Sequence, residues 1–435
     1  MEETGSQGVR LKGGYRVLDY RIITRYFRSP WFVRLALFLA IIGPGIITSS
    51  VDNDAGGITT YSLAGAQYGY VLLWTLIPMT VALAVTQEMG IRMGVVSGKG
   101  LSSLIREKTG VKLVFFIMAL LLVVDFGNTL AEFSGIAVGG SIFGVPPAIS
   151  VPLAAIFVWL LVERGSYRRV EKVFLVASAL YVSYIISGFL AHPDWKIAAV
   201  NTFIPSLPAN AAYITMLVAL AGTTIAPWMM FYIQASVVEK EVPLKYLNYS
   251  RLDAISGSVV TNVVAGFIIL ACSTTLFVHE IPVNTVADVS AALVPLAGNY
   301  AAALFAFGFL NASIFSASIL PLSTAHYVCE GLGLERGVSK SFKEAPAFHG
   351  LYLGIIVLAA FFISLPNVPL LSILYLSQVG NGILLPFILI YMLVIANDKK
   401  IMGEYVNTRV FNYIAGATVV IMIGLSITLI LIGFL

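Results

Sequence analysis

Thirteen apolar segments follow one another along this chain with almost no charge inside them, and that pattern leaves few folds open. They lie at about 31–50, 58–66, 69–95, 112–142, 147–163, 171–191, 209–225, 228–238, 253–278, 296–333, 347–364, 370–396 and 408–435. A soluble domain carries about 25% charged residues; this chain carries 11%, with 58% hydrophobic. Most of it therefore faces lipid, and apolar runs of about 20 residues are membrane-spanning helices. A transmembrane barrel needs short segments of alternating polarity, and these runs are too continuous for that. Segments 58–66 and 228–238 are too short to span alone, and each follows a longer segment across a break. Counted as pairs, they predict eleven crossings.

The basic residues orient those crossings. Of 26 Lys and Arg, 25 fall in the N-terminal region or in the loops after the second, fourth, sixth, eighth and tenth crossings; only Lys196 does not. The positive-inside rule then places the N-terminus in the cytoplasm and the C-terminus outside, in a multi-pass plasma-membrane protein. Charge spread over separate loops also argues against nucleic acid as a partner. Residues 1–30 read as a polar, basic cytoplasmic tail without the apolar core of a signal peptide, and residues 31–435 as one membrane domain. Cys272 and Cys329 sit within or beside apolar segments and read as small buried residues.

Two breaks interrupt the pattern: SSVDNDAGG at 49–57 in the first crossing and AGTTIAPW at 221–228 in the sixth. A broken helix facing lipid would leave backbone groups unsatisfied at several kcal/mol each. Breaks survive where they line a polar interior, and interruptions at matching positions of two halves point to inverted-repeat transporters. Taken alone, AGTTIAPW reads first as an ordinary proline kink. Acidic residues inside the segments are few: Asp52, Asp54, Glu88, Asp125 and Glu132. Such carboxylates face the protein interior, and with no Lys or Arg embedded near them a bound cation is the natural counter-charge. The amides Asn128, Asn262, Asn311, Gln378 and Asn381 read as inter-helix hydrogen-bonding groups, and the four histidines as structural. An intramembrane hydrolase built on Asp52 and Asp54 is disfavoured, because residues two apart on an extended strand point in opposite directions. A solute other than a metal on the same fold, or a sensor that binds without flux, remain alternatives.

The stretches GPGIITSSVDNDAGGITTYSLAGAQYGYVLLW, TQEMGIRMGVVSGKGLSSLIREKTG, LAEFSGIAVGGSIFGVPP, SQVGNGILLPFILI and NDKKIMGEYVN resemble the NRAMP family of divalent-metal transporters, from about Trp31 to Leu435. The resemblance implies an all-α, LeuT-like membrane fold: inverted five-helix repeats at about 31–191 and 209–396, an extra helix at 408–435, and helices 1 and 6 broken at the midplane. It implies a transporter rather than an enzyme, with no cofactor or obligate protein partner. Several family positions differ. The Asp-Pro-Gly-Asn motif is here Asp54-Ala55-Gly56-Gly57, so the aspartate ligand stays and the asparagine becomes Gly57. Met-Pro-His is here Ala226-Pro227-Trp228, which removes a thioether suited to transition metals and a histidine linked to proton movement. In helix 3 the family's Asp is Thr129, three residues before Glu132.

These departures resemble the magnesium-transporting branch of the family. Mg²⁺ demands octahedral oxygen coordination and keeps several waters, so fewer direct ligands and more room favour it, with Mn²⁺ passing as well. The resemblance makes Asp54 the principal carboxylate, the Val51 and Thr223 carbonyls main-chain ligands, and Gln378 a group that approaches the ion on occlusion. Gly57 and Ala226 are expected to leave space for water. Asp52 and Asn53 either extend an acidic vestibule, or Asn53 caps the second half-helix. Thr224 is expected to satisfy backbone, and Trp228 to pack or to border the site. With Thr129 and Trp228 in place of titratable groups, import by alternating access is expected without proton coupling. The alternative is a proton-coupled Mn²⁺ or Fe²⁺ importer.

Overall fold

The computed structural model describes residues 52–163, 182–208, 210–337 and 340–433. Among them there are helices and no strand. The main helices are α1 (Ala55–Tyr68), α2 (Leu76–Ser97), α3 (Leu101–Thr109), α4 (Val111–Ile142), α5 (Pro147–Glu163), α6 (Val182–Leu190) and α7 (Trp195–Phe203). They are followed by α8 (Ala211–Thr224), α9 (Pro227–Glu239), α10 (Leu247–Cys272), α11 (Ala301–Leu332), α12 (Pro346–Ser364), α13 (Leu370–Ala396) and α14 (Arg409–Gly433). Eight stretches among the described residues are long and apolar enough to cross a membrane, and Pro147–Leu161 is a shorter apolar helix. The expected eleven crossings also draw on residues 31–51 and 171–181, which lie outside the described residues.

The outer surface explains the composition. Phe116, Val123, Phe361 and Val420 are each more than half exposed, an arrangement water would penalise and lipid tails accept. The interior carries the polar groups. α4 and α11 cross at the centre, and glycines allow the approach. A Cβ on Gly135 would meet Ala55 Cβ at 2.6 Å and also press on the Ser313 hydroxyl, while one on Gly139 would press on Leu310.

Contacts near the helix ends of the described residues fall into two sets. In the first, Lys108 of α3 pairs with Asp398 beyond α13; that neighbouring ammonium holds the Asp398 carboxyl below the usual carboxylate range. There too Glu330, at the end of α11, accepts from Gly100 N–H at 3.1 Å and from Arg336 at 3.0 Å. Buried Glu88 bridges Arg92 (2.9 Å) and Arg251 (2.7 Å), so its counter-charge is arginine and not the bound cation expected for it, and Arg92 also donates to the Tyr405 carbonyl and the Asn407 side chain. A buried charge is tolerable only when paired in this way. In the other set Tyr70 meets Thr274 at 3.0 Å, the Trp74 indole donates to Tyr213 at 3.3 Å, and Ser187 donates to the Ala292 carbonyl at 2.6 Å.

Candidate metal-ion site

The second half of the first break begins with a capped helix. Asp54 is extended (φ −75°, ψ −173°) and its Oδ1 accepts from Gly57 N–H at 2.6 Å, which fixes the start of α1. An aspartate serves well there because it satisfies a free amide and sits at the positive end of the helix dipole. The cap is thus Asp54 and not Asn53, which corrects the capping option for Asn53. Asp52 is buried, 3% exposed, and neither of its carboxylate oxygens has a hydrogen-bond partner among the described residues. Val51 lies outside those residues.

The sixth crossing breaks at Ile225–Ala226, between α8 and α9. Pro227 opens α9, where its fixed φ suits the first helical position. Having no N–H, Pro227 cannot bond the Thr223 carbonyl four residues back, so that oxygen is left for another partner. The carbonyl expected to face the ion is therefore freed by the sequence itself.

α4 brings Glu132 to the same place. Its carboxyl stands against Asp54, and Oε2 accepts from Ala55 N–H at 3.5 Å. Glu132 Oε1 has no partner among the described residues. Asp52, Asp54 and Glu132 are thus three buried carboxyl groups around one helix break, and no ion pair among the described residues involves any of them. Carboxylates this close stay together only with a cation or a proton among them. No cluster of three or more His, Cys, Asp or Glu with metal-binding spacing is present among the described residues; further oxygens must come from backbone, amides or water.

α13 closes the site from the other side at three glycines. A Cβ on Gly56 would overlap the Gln378 carboxamide, one on Gly222 the Gln378 carbonyl and Gly382 N, and one on Gly382 the Val218 carbonyl. Only glycine permits backbones this close. Gln378 is consequently in contact with the first break already.

Other expected residues are placed differently. The room expected at Gly57 is filled: a Cβ there would run into the Asp52 carbonyl and lie 3.1 Å from the Thr223 hydroxyl. Ala226 and Trp228 are both buried members of an apolar cluster, and Trp228 packs edge-on to Tyr232 at 6.0 Å, which argues against a vestibule role. Among the described residues the Thr224 hydroxyl meets the Tyr61 hydroxyl, at 2.9 Å, and not a backbone group. Thr129 donates to the Asp125 carbonyl of its own helix at 2.9 Å. Tyr61 was not anticipated, although a tyrosine two turns after a break, amid small residues, was the available signal.

Comparison with known proteins agrees with this geometry. Residues 45–432 match the family described as natural resistance-associated macrophage protein-like, Nramp. A divalent metal cation transporter MntH of Deinococcus radiodurans is 30% identical over 408 residues, 89% of this chain and 88% of the relative. Another, of Granulibacter bethesdensis, is 26% identical over 408 residues, covering 91% and 89%. In fold, the chain is similar to a crystal structure of the Eremococcus coleocola manganese transporter, with a TM-score of 0.72 and 19% identity over 90% of this chain and 86% of that one. It is also similar to Mhp1, a nucleobase-cation-symport-1 family transporter, with a TM-score of 0.56 and 13% identity over 90% and 91%. The expected all-α, LeuT-like class is the one observed. With the match running through nearly the whole chain, and both helix breaks inside it, the chain belongs to the Nramp family.

Proposed function

We propose that this protein is a membrane transporter that imports partly hydrated Mg²⁺, and Mn²⁺ as well, by alternating access around the two helix breaks. The observation that carries the reading is the set of three buried carboxyl groups, Asp52, Asp54 and Glu132, with no cationic side chain paired to them among the described residues. The family and the names of its relatives support a divalent metal as the solute. The replacement of thioether and amide ligands by Ala226 and Gly57 supports the hard, water-retaining ion. Asp54 is the central carboxylate, the Thr223 and Val51 carbonyls and Gln378 add oxygen, and Asp52 adds negative charge behind it.

The N-terminus is assigned to the cytoplasm and the C-terminus to the outside, in a bacterial plasma membrane. The repeats are assigned to about 31–191 and 209–396, with 408–435 as the extra helix. An inside-negative potential then drives uptake. At about 2.3 kcal/mol per charge per 100 mV, a divalent ion gains about 4.6 kcal/mol, roughly three decades of concentration ratio. Protons are not required for that.

A second reading, proton-coupled Mn²⁺ import, is favoured by the retained Glu132 against Asp54. Isothermal titration of the purified protein with Mg²⁺, Mn²⁺ and Ca²⁺ tests the proposal: saturable Mg²⁺ binding supports it, and binding of Mn²⁺ without any of Mg²⁺ contradicts it. Because the space at Gly57 is already taken, Gly57→Asn does not install a working amide ligand. It is expected to lower Mg²⁺ uptake about tenfold, the effect of an overpacking strain of 1–3 kcal/mol, measured as initial flux into vesicles. Ala226→Met, by contrast, is the change that shifts preference toward Mn²⁺ or Cd²⁺.

A further inference from the structure

Asp125 is fully buried in α4 and takes no part in the ion site just described. It nevertheless stands at one end of an unbroken chain of side-chain hydrogen bonds that ends on Gln378. The Tyr327 hydroxyl donates to Asp125 Oδ2, and Thr324 shares its proton between that oxygen (3.0 Å) and the Leu320 carbonyl (2.8 Å). Asn128 Nδ2 donates to Asp125 Oδ1 at 3.1 Å. Asn128 and Asn381 then form a reciprocal amide pair between α4 and α13, at 2.9 and 3.0 Å. Asn381 Nδ2 also donates to Gln378 Oε1 at 3.0 Å, and Gln378 Nε2 donates to Ser377 Oγ at 3.1 Å. The atom of Gln378 nearest to Gly56 is this same Nε2.

A reciprocal amide pair is satisfied equally well with both amides turned over. Something outside it must choose the direction, and Asp125 does so. With donors converging on it, the carboxyl accepts, so Asn128 must show it Nδ2. That choice fixes Asn381, which in turn holds Gln378 Oε1 and turns Nε2 toward the first-helix break. An amide N–H₂ cannot ligate a cation, nor accept from the protons of metal-bound water. The oxygen has to face the ion in either case.

We propose that Asp125 is a positioning residue for Gln378, acting through the Asn128–Asn381 pair to hold the carboxamide oxygen away from the ion site, so that ion capture requires this relay to turn over. The inference rests on Gln378 as a group that engages the ion. Holding the oxygen back weakens binding and eases release, which suits a carrier that must let its ion go.

The test uses the full chain in proteoliposomes with Mg²⁺ as the probe, and reads KM for Asp125→Asn, Gln378→Leu and the double variant. An asparagine at 125 can show either oxygen or N–H₂ to Asn128, so both relay directions become available. Asp125→Asn is expected to lower KM about fivefold, the size of one net hydrogen bond. Gln378→Leu raises KM, and Asp125→Asn added to it changes nothing further. A KM that rises or stays put in Asp125→Asn, or that changes equally in both backgrounds, overturns the positioning role while leaving Gln378 at the ion. An unchanged KM in Gln378→Leu overturns both. Should Asp125→Asn fail to assemble, Asn381→Ala, which removes the donor from Oε1, carries the same expectation: a lower KM when Gln378 is present and no change when it is absent.

Discussion

Asp54→Ala is expected to reduce Mg²⁺ uptake on the order of 100-fold or more, the consequence of removing one charged partner from a buried charge contact worth 2–5 kcal/mol. The substitution has two effects that must be separated, because Asp54 also caps α1 through Gly57 N–H. Loss of that cap alone costs about 1 kcal/mol. Asp54→Asn distinguishes the two, since asparagine caps a helix as well as aspartate does but brings no charge. Thermal unfolding in detergent should fall for the alanine variant and stay near wild type for the asparagine variant. Uptake should be lost in both. Uptake that survives in Asp54→Asn would move the charge requirement to Asp52 or Glu132.

The second large effect is expected at Gly222→Ala. A methyl group there would press on the Gln378 carbonyl and on Gly382 N, backbone atoms that cannot rotate aside as a side chain could. Overpacking of this kind costs 1–3 kcal/mol or more. It also falls next in sequence to Thr223, whose carbonyl Pro227 leaves free. The variant should unfold several degrees lower and transport little. Gly354→Ala in α12 is the control: nothing lies within 4 Å of its Cβ position, so it should be neutral or slightly stabilising, as alanine is favoured in helices.

The fold was legible because lipid imposes simple rules on a chain. Apolar runs marked the helices, and Pro227 marked the second break, where it opens α9. The site was legible only in its charges. Asp54 could be named from the sequence, since a carboxylate in an apolar run needs a reason. What Gly57 does could not: a glycine reads alike whether it opens space or lets another backbone fill it, and here the Asp52 carbonyl fills it. A close-packing role for glycines 56, 222 and 382 was illegible for the same reason, since it depends on what another helix brings against them. The Asp125 relay spans 253 positions between Asn128 and Asn381, and no local pattern encodes such a pairing.

The most direct test of the central claim is a flux measurement in proteoliposomes under an imposed inside-negative potential, with lumenal Mg²⁺ and lumenal pH recorded together. Potential-driven Mg²⁺ uptake that is lost in Asp54→Ala, with a steady internal pH, is the result predicted. Uptake of Mn²⁺ without Mg²⁺, or acidification of the lumen in step with flux, would contradict it.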